Sequence, residues 1–588
     1  MTGATGYGLH VARDYALIAD GERGAIMGPR GEVVWLCAPR WDSPAVFSRL
    51  LGGDSLFAIT PDADDYVWGG YYEPGTLVWH SRWVEDAHIV ECQEALAFPG
   101  EQDRLVLLRR VVAGEGDCRV RIVLHPRPGY GRHRVSWSRS GRTLWEGHGS
   151  GLSFRVQGLE DARLSADGGL EAVLTVAAGE QHDVVLEIAG GVLAEEPAEE
   201  ERLWTATRER WRSEVPETHG TVADRDVHHA RAVLRGLTSS HGGMVAAATM
   251  SLPERAEQGR NYDYRYAWIR DQCFTGQSMA SLGDYALLDN AVSFVADRLQ
   301  QDGPGLKPAY AVDGGPVPDE KRLPLPGYPG GVAIAGNRAN QQFQLDAFGE
   351  ALSLFGTAAR LDRLDVEMWP AVEVAVDAIA ARWDEPDAGI WELKARWWTH
   401  SRLACVAGLR AVAAHAPSGR GAQWAALADR ILAEVGNRGV HASGRWQRAA
   451  DDPGIDAALL LPAIRGAVAW EDPRALSTVS AALGELASEE YLYRFPQNGQ
   501  LGDEEGAFLL CSLMMALSLH QQGRDVEATR WFERVRGCCG PAGLFSEEWD
   551  VLQRQSRGNV PQAFVHAFFA ETARALAEPH RDHSAGQA

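Results

Sequence analysis

Residues 505–537, "EGAFLLCSLMMALSLHQQGRDVEATRWFERVRG", decide the fold class of this chain. From Glu505 to Gly523 the stretch is apolar around nearly the whole circumference of a helix, as in a helix buried on most sides. From Asp525 onward the pattern changes: Val526, Trp531 and Val535 recur near helical spacing, Asp525 is placed to cap the start and Gly537 to stop the helix. An all-apolar helix followed by an amphipathic one is the signature of an inner and an outer layer. Helical patterns recur at roughly 225–238, 272–301, 342–359, 367–384, 401–414, 421–436, 454–465, 474–487, 505–522, 525–536 and 561–577. About eleven such segments fit a closed ring of helical hairpins, an (α/α)6 barrel over 225–580.

The first 200 residues read differently. "CRVRIVLHPRPGYG", "HRVSWSRSGRTLWEGHGSGLSFRVQG" and "GLEAVLTVAAGEQHDVVLEIAGG" alternate apolar and polar positions, are rich in Val, Ile and Thr, and are punctuated by Gly, Pro, Asp and Ser. Short strands at this spacing predict an antiparallel β-sandwich over 1–200. The acidic run "LAEEPAEEERLWTATRERW" follows, and 201–224 reads as a helical linker between domains. The last residues, 581–588, read as a disordered tail.

A chain of 588 residues has room for two domains and a deep, buried site. Its formal charge of −23 repels phosphate backbones and anionic head groups, so neither nucleic acid nor a membrane surface is an expected partner. The N-terminus lacks a basic stretch followed by an apolar one, and no run approaches the ~18 apolar residues of a membrane span, so a cytoplasmic protein is expected. Eight scattered cysteines form neither a disulfide framework nor a CxxC metal spacing. Cys538 and Cys539 read as two small buried or half-buried thiols. The 20 tryptophans are the compositional oddity; flat apolar faces in that number fit stacking on sugar rings. No Walker A or GxGxxG stretch supports a nucleotide site, and no cofactor or metal is expected. His228 and His229 have no further ligand at metal spacing nearby.

Four stretches of the helical half combine carboxylates with Trp, Tyr or Arg: "GRNYDYRYAWIRDQ" (259–272), "GIWELKARWWTHSR" (389–402), "YRFPQNGQLGDEEG" (493–506) and "GLFSEEWD" (543–550). They fall in connections or at predicted helix starts, where a rigid scaffold places ligand-binding side chains. Paired carboxylates beside aromatic faces are what glycoside hydrolysis needs: one stays protonated in a partly apolar pocket to act as acid while the other stays ionised.

At this level the chain resembles glycoside hydrolase family 15, the glucoamylases with the bacterial trehalases and the isomaltose or dextran exo-glucosidases. The likeness covers nearly the whole chain. It is carried by "IADGERGAIMGPRGEVVWLCAPRWDSPAVF" in the sandwich, "AAATMSLPERAEQGRNYDYRYAWIRD" at the entry to the barrel, and "QFQLDAFGE", "EEGAFLLCS" and "NVPQAFVHA" beyond.

Carried over residue by residue, the resemblance implies Glu392 as general acid, preceded by Trp391, and Glu547 as general base. Arg270 and Asp271 fall where the terminal glucose hydroxyls are held, beside Trp268. Tyr264 falls where a ring stabilises positive charge near the anomeric carbon. Arg494 matches a substrate-binding arginine, and Glu548 contributes near the sugar. Trp397 and Trp398 line a leaving-group subsite or pack the barrel. Arg40 and Asp42 reach over the barrel mouth or fix a tight turn. In "LGDEEG", Asp503, Glu504 and Glu505 form a second acidic cluster in which Glu505 faces the pocket or serves a helix N-terminus. His400 reads as structural.

The function this implies is an inverting exo-acting hydrolase that releases β-glucose from the non-reducing end of short malto- or isomalto-oligosaccharides, with α,α-trehalase as the alternative. The terminal glucose is gripped alike for every linkage, so the leaving-group side decides. A disaccharide phosphorylase is disfavoured because phosphorolysis needs no base at position 547. A noncatalytic sugar-binding relative is disfavoured by the retention of both carboxylates.

Overall fold

The computed structural model describes residues 7–63, 65–85, 88–257, 259–417, 419–497 and 505–578. The expected tail 581–588, like Asp503 and Glu504, lies outside the described residues.

Two antiparallel sheets, each of eight strands among the described residues, form the N-terminal sandwich. One runs Ala16–Ala19, Gly24–Met27, Glu32–Cys37, Leu56–Pro61, Cys118–His125, Leu170–Val176 and Arg163–Leu164, with Ala45–Phe47 paired to Glu32–Cys37. The other runs Ser136–Arg139, Trp145–Gly149, Leu152–Gln157, Gln181–Ala189, Arg104–Ala113, His88–Leu96, Trp79–Glu85 and Val67–Tyr72. Inward residues such as Val120, Ile122, Leu105, Leu107 and Val185 are completely or almost completely buried between the sheets, which is why the alternating pattern was readable.

Thirteen α-helices follow among the described residues: α1 Glu200–Glu214, α2 Asp224–Leu237, α3 Ile269–Ser281, α4 Tyr285–Asp302, α5 Asp346–Arg360, α6 Trp369–Arg382, α7 Thr399–Ala413, α8 Arg420–Arg438, α9 Leu461–Ile464, α10 Pro473–Glu485, α11 Leu509–Gln521, α12 Asp525–Arg536 and α13 Ala563–Leu576. The acidic helix α1 lies on the sandwich: Trp211 stacks on Phe98 at 3.9 Å and Trp204 Nε1 donates to Asp183 at 2.8 Å.

The remaining twelve helices form the (α/α)6 barrel. Helices α3, α5, α7, α9, α11 and α13 each touch the next, and α13 returns to α3, closing the inner ring. Outside them α2 packs on α13, α4 on α3, α6 on α5, α8 on α7 and α12 on α11, while α10 packs on the 3-10 turn Ala457–Leu460 that leads into α9. Every residue of α11 from Leu509 to Leu519 is buried, as its all-round apolar sequence requires.

Two local expectations change. The single helix expected over 272–301 is two, because Gly283 takes φ +74 and Asp284 caps the second, accepting from Leu287 N at 3.5 Å; this supplies the twelfth helix. In α12, Asp525 does not cap the start. It lies inside the helix and receives His520 Nδ1 at 2.8 Å, and Val526 is 71% exposed while Ala528, Trp531, Phe532 and Val535 form the buried face.

The sandwich is fixed to the barrel through Arg265. Its guanidinium is buried, pairs with Asp263 at 2.7 Å, and donates across to Trp41 O (3.2 Å), Ser43 O (2.9 Å) and Tyr130 Oη (3.0 Å). A buried cation with this many acceptors holds one relative orientation of the two layers.

Candidate active site

A cavity of ≈ 390 Å³ opens into the barrel where the loops before α3, α7, α11 and α13 converge. Each loop delivers one of the charged stretches singled out in the sequence.

The loop 387–398 before α7 is built around Asp387. This buried carboxylate accepts from Gly389 N and Ser401 Oγ, both at 2.8 Å, and pairs with Arg402. Gly389 takes φ +67 against the Trp398 ring, where a Cβ would come within 2.9 Å of Cδ1. The turn so fixed leaves Glu392 at φ +55, a conformation costly for a residue with a Cβ and common where a side chain must be presented to a site. Glu392 lines the cavity with its side chain 26% exposed, accepts from Trp268 Nε1 at 2.8 Å, and lies 3.9 Å from Arg270.

Glu547 reaches the same cavity from the loop before α13. Its Oε1 accepts from Tyr264 Oη at 3.0 Å. Burial, and then the nearby Glu254 charge, push its carboxyl well above the ordinary range, while Arg494 and the Tyr264 hydrogen bond act the other way. Tyr264 remains a neutral donor, since burial and the adjacent Glu547 raise its phenol strongly. Tyr264 packs edge-to-face on Trp268 at 5.6 Å and parallel to Tyr262 at 6.2 Å, so two touching rings link the two carboxylates.

Its neighbour Glu548 points elsewhere, as adjacent residues in extended backbone must. Glu548 begins the short strand Glu548–Asp550, accepts from Gly506 N at 2.7 Å and lies 3.7 Å from Arg494; it is not among the described residues lining the cavity. Arg494 does line it, with its Nε on Glu505 at 2.6 Å and Glu254 3.5 Å from its Nη2. Glu505 also accepts from Arg260 at 3.1 Å, so it serves the two arginines rather than the cavity wall. Four buried glutamates, 254, 505, 547 and 548, thus surround two arginines, and this surplus of negative charge is one reason Glu254, Glu547 and Glu548 are all shifted upward, after burial itself.

On the opposite wall Asp271 is fully buried. It contacts Arg270 Nε at 3.3 Å, but among the described residues neither oxygen has a hydrogen bond of ordinary geometry. Burial raises it to about 6. Arg270 Nη1 is held by Ile390 O at 2.8 Å. Buried polar groups are normally satisfied, so an acceptor left open toward a cavity is an acceptor for a ligand's hydroxyls. Trp391 supplies an aromatic wall, with Arg494 over its ring at 5.5 Å.

The other expected residues lie apart. Trp397 donates to Asp384 at 2.8 Å and is clamped between Arg402 and Arg438, 4.8 and 4.3 Å from its ring, while Trp398 packs on Gly389; neither is among the described lining residues. The contacts seen for both rings are packing contacts within the barrel. Arg40 and Asp42 pair with each other (3.2 Å), Arg40 also reaches Asp313, and Ser43 N closes the turn onto Arg40 O at 3.2 Å. They tie sandwich to barrel as a turn, outside the cavity lining. His400 is buried and pushed down to about 3 by burial and Arg270. His228 and His229 bond the carbonyls of Val215 (3.0 Å) and Ala542 (2.9 Å). Cys538 is buried and Cys539 half-buried, both as free thiols.

Sequence reading missed Glu254, Asn261 and Tyr262, which line the cavity, and Asp387, which builds the acid loop. Glu254 sits in "SLPERAEQG", where nothing but its charge marks it; its contact with Arg494 is long-range.

Residues 232–574 match the family model described as Glycosyl hydrolases family 15, and residues 7–211 match that described as Trehalase-like, N-terminal. A trehalase of Mycolicibacterium smegmatis is 30% identical over 94% of this chain and 89% of its own length. A trehalase of Mycobacterium tuberculosis is 29% identical over 94% of this chain and 88% of its own. In fold, the chain resembles a bacterial glucoamylase solved in complex with acarbose, with a TM-score of 0.70 and 13% identity over 97% of each chain. No helix among the described residues is long and apolar enough to cross a membrane. The barrel, the sandwich before it and the match to the family model across most of the barrel agree: this chain is a glycosidase, and it belongs to glycosyl hydrolases family 15.

Proposed function

We propose that the chain is an inverting, exo-acting α-glucoside hydrolase and that its substrate is α,α-trehalose. The observation that carries the mechanism is the pair of carboxylates in one cavity, each steered by a different aromatic donor: Glu392 by Trp268 and Glu547 by Tyr264. Glu392 is the more exposed of the two and stands beside Arg270. It gives its proton to the glycosidic oxygen as the C1–O bond breaks. Glu547 acts in its ionised form, which burial and the Glu254 charge oppose and which Arg494 and the Tyr264 hydrogen bond favour; it takes a proton from a water whose oxygen bonds to C1 on the opposite face. Asp271 and Arg270 hold the hydroxyls of the glucose being released, and Tyr264 faces the charge that develops on its ring. Arg494 is held for sugar contact by Glu505 and Glu548.

Trehalose is favoured over the longer glucosides first expected. The cavity of ≈ 390 Å³ lies near the small end of ligand pockets, which span roughly 300–1,000 Å³, and so suits a disaccharide. The relatives named trehalase are similar over nearly the full chain, sandwich included. The test is a comparison of kcat/KM for trehalose, maltose and isomaltose. Trehalose is expected to lead by about tenfold or more, and a lead for maltose or isomaltose refutes the substrate while leaving the hydrolase reading in place.

A further inference from the structure

The sandwich carries a second cavity, larger than the catalytic one at ≈ 1040 Å³ against ≈ 390 Å³, and the two share no lining residue among those described. It lies where the strands Leu56–Pro61, Cys118–His125 and Leu170–Val176 of one sheet meet Trp68 of the other. Trp68 is half-buried and lines the cavity. Beside it Tyr66 is also half-buried, its hydroxyl fixed on Thr60 Oγ1 at 3.1 Å. Most tryptophans of this chain are buried in the core; Trp68 shares with Trp391 the property of being half-buried and lining a cavity.

The charges decide the class of ligand. Arg30, Arg121 and Arg163 line the cavity together with Asp65, Asp161 and Glu171, equal numbers of each sign in a chain whose net charge is −23. Arg121 is itself anchored on Asp62 at 2.8 Å. A phosphate-bearing ligand would meet three carboxylates, a cation would meet three guanidiniums, and an apolar ligand would strip water from six charges without replacing it. A neutral polyhydroxylated ligand avoids all three costs: its hydroxyls donate to the carboxylates and accept from the guanidiniums, and an apolar ring face lies on Trp68.

We propose that this cavity is a second, noncatalytic carbohydrate site that binds a neutral glucose oligosaccharide longer than a disaccharide. The choice of glucose rests on the family to which the chain belongs, not on trehalose as substrate. The test uses the full chain carrying Glu392→Gln, titrated calorimetrically with maltoheptaose and with isomaltoheptaose, each in the presence and absence of excess trehalose. The expected result is binding of one of them that trehalose does not displace and that Trp68→Ala weakens by about tenfold or more.

Trp68→Ala in the otherwise native chain is expected to keep its disaccharide hydrolysis within about twofold, which also shows that it folds. Should it lose that hydrolysis, the pair Arg163→Ala with Glu171→Ala, paired across adjacent strands at the cavity, gives the decision by the same loss of binding. No trehalose-resistant binding of either heptasaccharide, or binding that the folded variant leaves unchanged, overturns the proposal. A trehalose that fails as substrate does not alter that outcome, because the readout is heptasaccharide affinity.

Discussion

Replacing Tyr264 by Phe removes one oxygen and one hydrogen bond, the 3.0 Å contact to Glu547 Oε1, and keeps the ring that packs on Trp268. The bond stabilises the ionised carboxylate against burial and the Glu254 charge, which both push it toward protonation. A hydrogen bond to a charged group contributes about 1.5–3 kcal/mol, and one pKa unit corresponds to about 1.36 kcal/mol. Glu547 in the variant therefore titrates about 1–2 units higher. A base works only when ionised, so the acid limb of kcat/KM moves to higher pH by that amount, and below the limb the variant loses about 10- to 100-fold. The assay is glucose release from trehalose and from maltose between acid and alkaline pH, with the plateau read separately from the limb. A variant whose plateau falls while its acid limb stays in place refutes the coupling of Tyr264 to Glu547, and with it this route to setting the base.

Glu547→Gln is expected to abolish hydrolysis with disaccharide binding retained, whereas Glu548→Gln, a change outside the cavity lining that loosens the Gly506 N–H and only the 3.7 Å contact to Arg494, retains about 100-fold more activity; kcat and calorimetric Kd for both variants check this. Glu505→Gln weakens the 2.6 Å anchor of Arg494 and the 3.1 Å contact to Arg260, and a fall in kcat/KM of about tenfold or more is expected, carried mainly by KM.

Asp346→Asn tests the buried acid behind Arg270. Burial, with Asp387 and Glu350 nearby and Arg270 opposing, raises Asp346 from 3.8 to about 8. The folded state therefore keeps a proton that the unfolded state loses, and the wild type loses stability as pH rises through that window. The Tm of the variant minus that of the wild type is expected to increase between about pH 5 and pH 8; a difference that does not change contradicts it.

The legible parts of the molecule were those in which one segment carries its own signal. Helix α11 could be read as an inner helix because every side of it is apolar, and the sandwich because its strands alternate. The break at Gly283 was hidden because a one-residue stop at positive φ leaves the apolar pattern running through it. The site divides in the same way. Glu392, Glu547, Arg270, Asp271 and Arg494 stand in stretches dense with aromatics and charge. Glu254 and Asp387 could not be singled out in this way, since the first matters through Arg494 and the second through the turn it ties around Gly389. Trp397 and Trp398 show the converse: two aromatics beside an acid loop whose contacts, with arginines and a glycine, no sequence pattern announces.

The most direct test of the account is the anomeric form of the first glucose released from trehalose, followed by proton NMR before mutarotation. Both glucosyl units of trehalose are α. Attack by water on one of them with inversion turns that unit to β while the leaving glucose stays α, so α- and β-glucose are expected in equal amounts at the earliest times. A first product that is α-glucose alone contradicts inversion, and with it the assignment of Glu547 as the base that activates water.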